Sequence, residues 1–239
     1  MTDENKSAES NPPEHRRSVR SFVLRMGRAT AAQQRALTEL WPVYGIDFGS
    51  SEIDLNASFG RTAPRLIEIG FGNGEALVEF AKSHPEIDCI GIEVHRPGVG
   101  HLLLDAQALE LKNVRVISHD AVEVLEKLAP ESISFVHIFF PDPWPKKRHH
   151  KRRLIQPAFV ERIARVMSIG GRLRLATDWE HYALHMRDVL DASMQFKNCA
   201  DETGFVSRQH MRPLTRFERR GHKLGHSVWD LEYERVAAR

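Results

Sequence analysis

The chain has 239 residues, 41% hydrophobic and 28% charged, with 34 Lys and Arg against 32 Asp and Glu. This composition supports a core without covalent staples, and two cysteines, Cys89 and Cys199, are too few for a disulfide scaffold or a four-cysteine zinc site. The longest strongly apolar run, Ile133 to Phe140, is broken by Ser134 and His137, and Met1 to Arg17 has no apolar signal stretch; a membrane span and a secretory signal are excluded, and a cytoplasmic location is expected.

Residues 1–17 are polar, carry Pro12-Pro13 and read as a disordered leader before a single domain over 18–239. Thr30 to Trp41 reads as a helix with Thr30 as N-cap, ended by Pro42, and a polar connection runs from Gly45 to Arg61. From Pro64 strands and helices alternate. The strands are Arg65 to Ile69, Cys89 to Ile92, Val114 to Ile117, Ile133 to Phe140 and Leu173 to Ala176. The helices are Glu75 to Ser83, Gly98 to Leu109, Ala121 to Leu128, Pro157 to Met167 (closed by Gly170-Gly171) and Glu180 to Asp191. Ser227 to Val236 alternates apolar and polar residues and suits a late strand that could run antiparallel. Such spacing specifies a parallel sheet with helices on both faces.

The net charge is only +2, but its distribution is uneven. Lys146 to Arg153 holds six Lys and Arg and two His with no acid. A second basic stretch takes in Arg208, Arg212, Arg216, Arg219, Arg220 and Lys223; a third takes in Arg16, Arg17, Arg20, Arg25 and Arg28. Three basic tracts with Phe22, Trp144 and Phe217 in or beside them point to nucleic acid rather than to merely solvated loops.

Open α/β sheets bind ligands outside the carboxyl ends of their strands. All five strands carry an acid there: Glu68, Glu93, Asp120, Asp142 and Asp178. Asp120 or Asp178 alone could be a helix cap, but five together suggest a pocket for positive charge or hydrogen-bond donors. Gly70-Phe71-Gly72-Asn73-Gly74 fills the first strand-to-helix turn, where a ligand can approach the backbone. A dinucleotide fingerprint would need a third glycine at the position of Glu75. Glu93 is placed to accept both hydroxyls of a ribose, and Asp120 to pair with an adenine amino group.

Glu68-x-Gly70-x-Gly72-x-Gly74 with Glu93 resembles the cofactor site of Rossmann-like S-adenosylmethionine-dependent methyltransferases. The expected fold is accordingly a doubly wound, mostly parallel seven-stranded sheet with helices on both faces. An acidic rim suits that cofactor's sulfonium and ammonium. Asp142-Pro143-Trp144 sits where amino-methylating enzymes of nucleic acids carry an Asn/Asp-Pro-Pro-aromatic loop, though tryptophan replaces the second proline.

Phe139 to Lys146, running into the basic block, together with Ala176 to Glu180 and Thr215 to His222, is similar to the bacterial tRNA (guanine-N7-)-methyltransferases. Arg20-Ser21-Phe22, Gly27-Arg28, Trp41-Pro42-Val43 and Gly225 to Leu231 fit the same family; Pro145 is a small departure. The resemblance spans roughly Ser18 to Val236. It implies methyl transfer from S-adenosylmethionine to N7 of a guanosine at position 46 of tRNA. The default expectation for assembly is a monomer, with no obligate protein partner evident in the sequence. Asp142 is then the candidate catalytic acid at the cofactor edge, with Glu68, Gly70, Gly72, Gly74, Glu93 and Asp120 around the cofactor. Lys146, Asp178, Thr215, Arg216, Phe217 and Glu218 would meet the substrate, Phe217 either stacking on a base or filling the core. Arg148, His149, His150, Lys151, Arg152 and Arg153 would hold RNA phosphates. The alternatives are methylation of an exocyclic amine in RNA or DNA, and an RNA-binding protein with a vestigial pocket. Neither His181/His185 nor His222/His226 has a clear third ligand, so no metal site is expected.

Overall fold

Two short aliphatic segments, Arg65–Ile69 (β1) and Asp88–Ile92 (β2), are buried at every position, as befits strands covered on both faces. In the computed structural model, which describes residues 27–207 and 227–238, they are adjacent interior strands of a seven-stranded sheet. The leader, the basic residues from Arg16 to Arg25, the stretch Arg208 to Lys223 and the site candidates Thr215, Arg216, Phe217 and Glu218 lie outside the described residues.

Val114–Ile117 (β3), Ile133–Phe139 (β4) and Met167–Thr177 (β5) extend the sheet in parallel, and Phe196–Asn198 (β6) and Trp229–Arg235 (β7) complete it. The order is β3-β2-β1-β4-β5-β7-β6, with β7 antiparallel to both β5 and β6. The chain winds outward from β1 to β3 and restarts on the other side at β4. That reversal opens a crevice between the carboxyl ends of β1 and β4.

Helices cover both faces. Ala31–Glu39 (α1) is started by a capping box between Thr30 and Gln33. Trp41–Tyr44 (α2) follows, and Leu55–Phe59 (α3) lies between the Asp54 cap and left-handed Gly60. Then come Glu75–Ser83 (α4), Arg96–Ala108 (α5), Ala121–Glu126 (α6), Pro157–Val166 (α7) and Glu180–Asp191 (α8). Leu66, Cys89, Val114 and Val116 pack with α1, α4 and α5; Ile67, Ile90, Val136, Ile138 and Leu175 pack with α6, α7 and α8. Strand alternation thus divides the core in two. No helix among the described residues is long and apolar enough to cross a membrane.

Three local readings are corrected. Pro42 does not end the helical region; it occupies the first turn of α2, where a missing N–H costs nothing. The connection from Gly45 to Arg61 contains α3. Gly170-Gly171 does not close α7, which ends at Val166. The glycines lie inside β5, at the register irregularity opposite Ile133 and Phe135, and Gly170 has φ +83°.

The fold brings α5 close to the turn after β1: a methyl group on Gly98 would lie 2.0 Å from the carbonyl oxygen of Gly72. Gly98→Ala is expected to cost about 1–3 kcal/mol by overpacking, read as a lowered urea midpoint at unchanged slope. An unchanged midpoint would show slack between α5 and the turn.

Candidate active site

The turn from β1 to α4 needs glycine at three places: Gly70, Gly72 and Gly74 have φ of +73°, +60° and +87°. The Gly70 N–H bonds to the Ile92 carbonyl at 2.8 Å, fastening the turn to β2. A Cβ on Gly70 or Gly72 would meet nothing within 4 Å, so these two glycines face open space, whereas one on Gly74 would strike Leu102. Glu93, just past β2, closes the arrangement. One carboxylate oxygen accepts from Gly72 N at 3.0 Å; the other accepts from Val94 N at 2.8 Å and His95 N at 2.9 Å.

Glu68 is buried one row below this rim, in register with Gly91 of β2 and His137 of β4. Asp120 follows β3 and caps α6 through Oδ1, which accepts from Val122 N at 2.9 Å. Asp142 is exposed beyond β4, and Asp178 is half-buried beyond β5. Since β1 to β5 are parallel, all five acids lie toward one edge of the sheet. Beside Asp120 the Phe48 and His119 rings stack at 3.7 Å, a wall that the polar character of residues 45–61 concealed.

The Asp142 turn is strained. Phe140 and Trp144, neither a glycine, have φ of +52° and +45° and bracket Pro141-Asp142-Pro143. Each such residue costs on the order of 1–3 kcal/mol and persists only where its surroundings hold it. The Phe140 N–H bonds to the Ala176 carbonyl at 2.8 Å, tying one end of the turn to β5.

The basic block follows as a 3-10 segment, Lys147–Arg152, with Lys146 as its cap. Three residues per turn sorts its side chains into columns. His149 meets the Trp144 ring edge-on at 5.8 Å, and the Arg152 guanidinium lies over that ring at 5.0 Å. On the next column His150 lies 4.9 Å from the His181 ring, and Arg153 reaches His181 Nδ1 at 3.1 Å. Lys146, Lys147, Arg148, Lys151 and Arg152 are exposed. His149 and His150 are held below the ordinary histidine value, first by desolvation and then by neighbouring cations, Arg148 and Arg152 for the former and Arg153 for the latter. Lysine and arginine therefore supply the positive charge of this segment near neutral pH.

Arg153 does not belong with the surface cations. It is 2% exposed, packed 4.8 Å over the Tyr182 ring, and donates from Nε to the Pro143 carbonyl at 2.9 Å. Burial sets it apart from the exposed cations of the segment with which it was grouped. His185 is likewise committed, its Nε2 lying 2.9 Å from the Ile155 carbonyl oxygen. The i, i+3 spacing of His150 and Arg153 could have revealed the inward column. Trp179, 41% exposed beside Asp178, was also missed as a site-edge aromatic.

A family model described as "Putative methyltransferase" matches residues 62–231. The chain is 56% identical over 221 residues to a tRNA (guanine-N(7)-)-methyltransferase of Aeromonas hydrophila subsp. hydrophila, covering 92% of this chain and 93% of that one. It is 50% identical to one of Hydrogenovibrio crunogenus over 98% of both chains. Among solved structures, a variant of the 16S rRNA (adenine(1408)-N(1))-methyltransferase from Catenulisporales acidiphilia, with cosubstrate SAM, superposes with a TM-score of 0.52 at 15% identity. The match covers 79% of this chain and 94% of that one, a likeness of fold.

Burial pushes the His185 imidazole down; the Ile155 carbonyl opposes this, and the Arg153 cation adds to it. The folded chain therefore favours neutral His185. Its contribution to stability is present above the unfolded value of about 6.5 and is lost as pH falls through the lower folded value. His185→Gln is expected to flatten the decline in urea midpoint just below pH 6.5; parallel curves for both proteins would contradict this.

Proposed function

The chain belongs to the tRNA (guanine-N(7)-)-methyltransferase family, and we propose that it methylates N7 of guanosine 46 in the tRNA variable loop, using S-adenosylmethionine. The single observation that carries this reading is adjacency: a glycine turn open to space and five acids at one sheet edge, with a basic segment directly after the Asp142 turn.

The residues present suit that cofactor. Gly70 and Gly72 leave a cradle that any side chain would fill, and the donor set around it is carboxylate rather than cationic. The Glu93 carboxylate, fixed by three amides, has acceptor capacity left for a ribose hydroxyl. Asp120 offers its second oxygen to an adenine amino group, and Glu68 supplies negative charge beneath the turn. When bound there, S-adenosylmethionine supplies an electrophilic methyl group on a sulfonium.

Guanine N7 carries an available lone pair at neutral pH. No side chain needs to remove a proton from it, so this chain's task is positioning and electrostatics. Asp142 places negative charge where the imidazole part of the base becomes cationic. Asp178 accepts from the guanine N1–H and amino group, with Lys146 and the Thr215 to Glu218 stretch completing the base site. Arg148, Lys151 and Arg152 meet phosphates, each neutralised phosphate contributing a log–log salt slope of roughly −0.7 to −0.9.

Methyl transfer to unmodified tRNA followed by nucleoside mass spectrometry is expected to yield 7-methylguanosine. A methyl on an exocyclic amine would overturn the reading. Asp142→Asn should lower kcat on the order of a hundredfold while leaving S-adenosylmethionine affinity within a few-fold. Near-normal turnover would remove Asp142 from its role.

A further inference from the structure

Arg153 ends a run of six basic residues and two histidines, yet its surroundings differ from those of its neighbours. It is buried, and among the described residues no carboxylate lies within ion-pair distance of it. Its contacts are spread over two parts of the active-site rim. Nε donates to the Pro143 carbonyl in the strained turn after β4. Nη1 donates to His181 Nδ1 on the first turn of α8, three residues beyond Asp178; the guanidinium can only donate, so that nitrogen accepts. The plane of the group lies over Tyr182, whose hydroxyl accepts from Ile155 N at 3.2 Å. Nη2 is buried with no hydrogen-bond partner.

A cation buried without a counter-charge is costly. Its burial fits a geometric task better than a contribution to stability. We propose that Arg153 is a positioning residue: it pins the Pro143 carbonyl to the start of α8 and so fixes Asp142 relative to Asp178. The proposal rests on the role assigned to Asp142 above. The left-handed Phe140 and Trp144 need an external hold, and the described contacts include three. Phe140 is bonded to Ala176, Trp144 lies against Arg152 and His149, and the centre of the turn is held by Arg153. The last of these reaches the residue next to Asp142. A phosphate ligand would instead need its donors turned to solvent, as the positions of Arg148 and Lys151 allow.

The test uses the full chain with Arg153→Lys, which keeps the charge but cannot bond Pro143 and His181 together in one plane. The expected result is a kcat lowered by roughly tenfold or more, with KM for tRNA and for S-adenosylmethionine within about twofold. The salt slope of tRNA binding should stay at the parent value, whereas Lys151→Ala should reduce it by roughly 0.7 to 0.9. Amide exchange in a peptide spanning residues 140–152 should quicken by about tenfold, a measurement independent of which base is methylated. A reduced salt slope for Arg153→Lys would make Arg153 a phosphate ligand and overturn the proposal; so would parental kcat and exchange. Should Arg153→Lys not fold, His181→Leu, at an exposed position, removes one end of the span. Faster exchange over residues 140–152 supports the proposal, and unchanged exchange overturns it. If the parent makes no 7-methylguanosine, the functional reading fails while the exchange result still decides the role of Arg153.

Discussion

The Glu93 carboxylate joins two strand-to-helix turns that would otherwise end independently. One oxygen holds the Gly72 amide in the turn after β1, and the other gathers Val94 and His95 after β2. Hydrogen bonds to a charged acceptor are roughly twice as strong as neutral ones, so one side chain sets the spacing of two glycine-dependent backbones. The approach of Gly98 to Gly72 adds a steric stop from α5. With turn, strand ends and helix in one position, the open space before Gly70 and Gly72 becomes a defined cradle. The open rim follows from backbone geometry, and the acids then give it its sign.

Charge of opposite sign begins only a few residues away. Asp142 is separated from Lys146 by a proline-rich turn too short to relax, and the strain at Phe140 and Trp144 measures that constraint. A 3-10 segment resolves the conflict: in an α-helix the next eight residues would spread around the axis, whereas a period of three places them in columns. One column faces Trp144 and one faces α8, leaving Arg148 and Lys151 toward solvent. The same run of basic residues therefore builds an internal support and an external charged surface.

Much of this was legible beforehand. β1, β3, α4 and α8 have the limits that their apolar spacing implies, because each begins or ends at a sharp chemical boundary such as Pro64, Gly74 or Trp179. Five acids in equivalent positions were expected at one edge of the sheet, and the parallel strands β1 to β5 place them there. Other features were obscured for identifiable reasons. Asp54 and Gly60 are an N-cap and a C-cap, but the five residues between them carry too little periodicity to announce α3. β6 spans three residues and is defined by its pairing with β7 rather than by its own pattern. Gly170-Gly171 reads equally as a helix stop or a strand irregularity, and pairing across to β4 decides it. Burial of Arg153 depends on Tyr182 and His181, 28 or more residues distant, and charge composition does not show it.

The sheet under the site repeats the same use of charge for register. Glu68, His137, Arg174 and Glu232 occupy one cross-strand row over β1, β4, β5 and β7, and Arg174 bonds to Glu232 at 3.1 Å. One row further from the site, Arg172 pairs with Glu234, also at 3.1 Å. Leu173, Leu175, Leu231 and Tyr233 point to the opposite face and pack with α7 and α8. A slip of one residue between β5 and β7 would drive both arginines or both glutamates into that apolar layer, a penalty far larger than the worth of either ion pair. These pairs therefore select an alignment more than they add stability. Because β5 also carries Ala176, the acceptor for Phe140, and ends at Thr177 just before Asp178, the alignment chosen at β7 passes through β5 to the Asp142 turn. Among the described residues β7 is the one antiparallel partner of the parallel strands, and it thus helps to set where the edge carrying Asp142 and Asp178 lies.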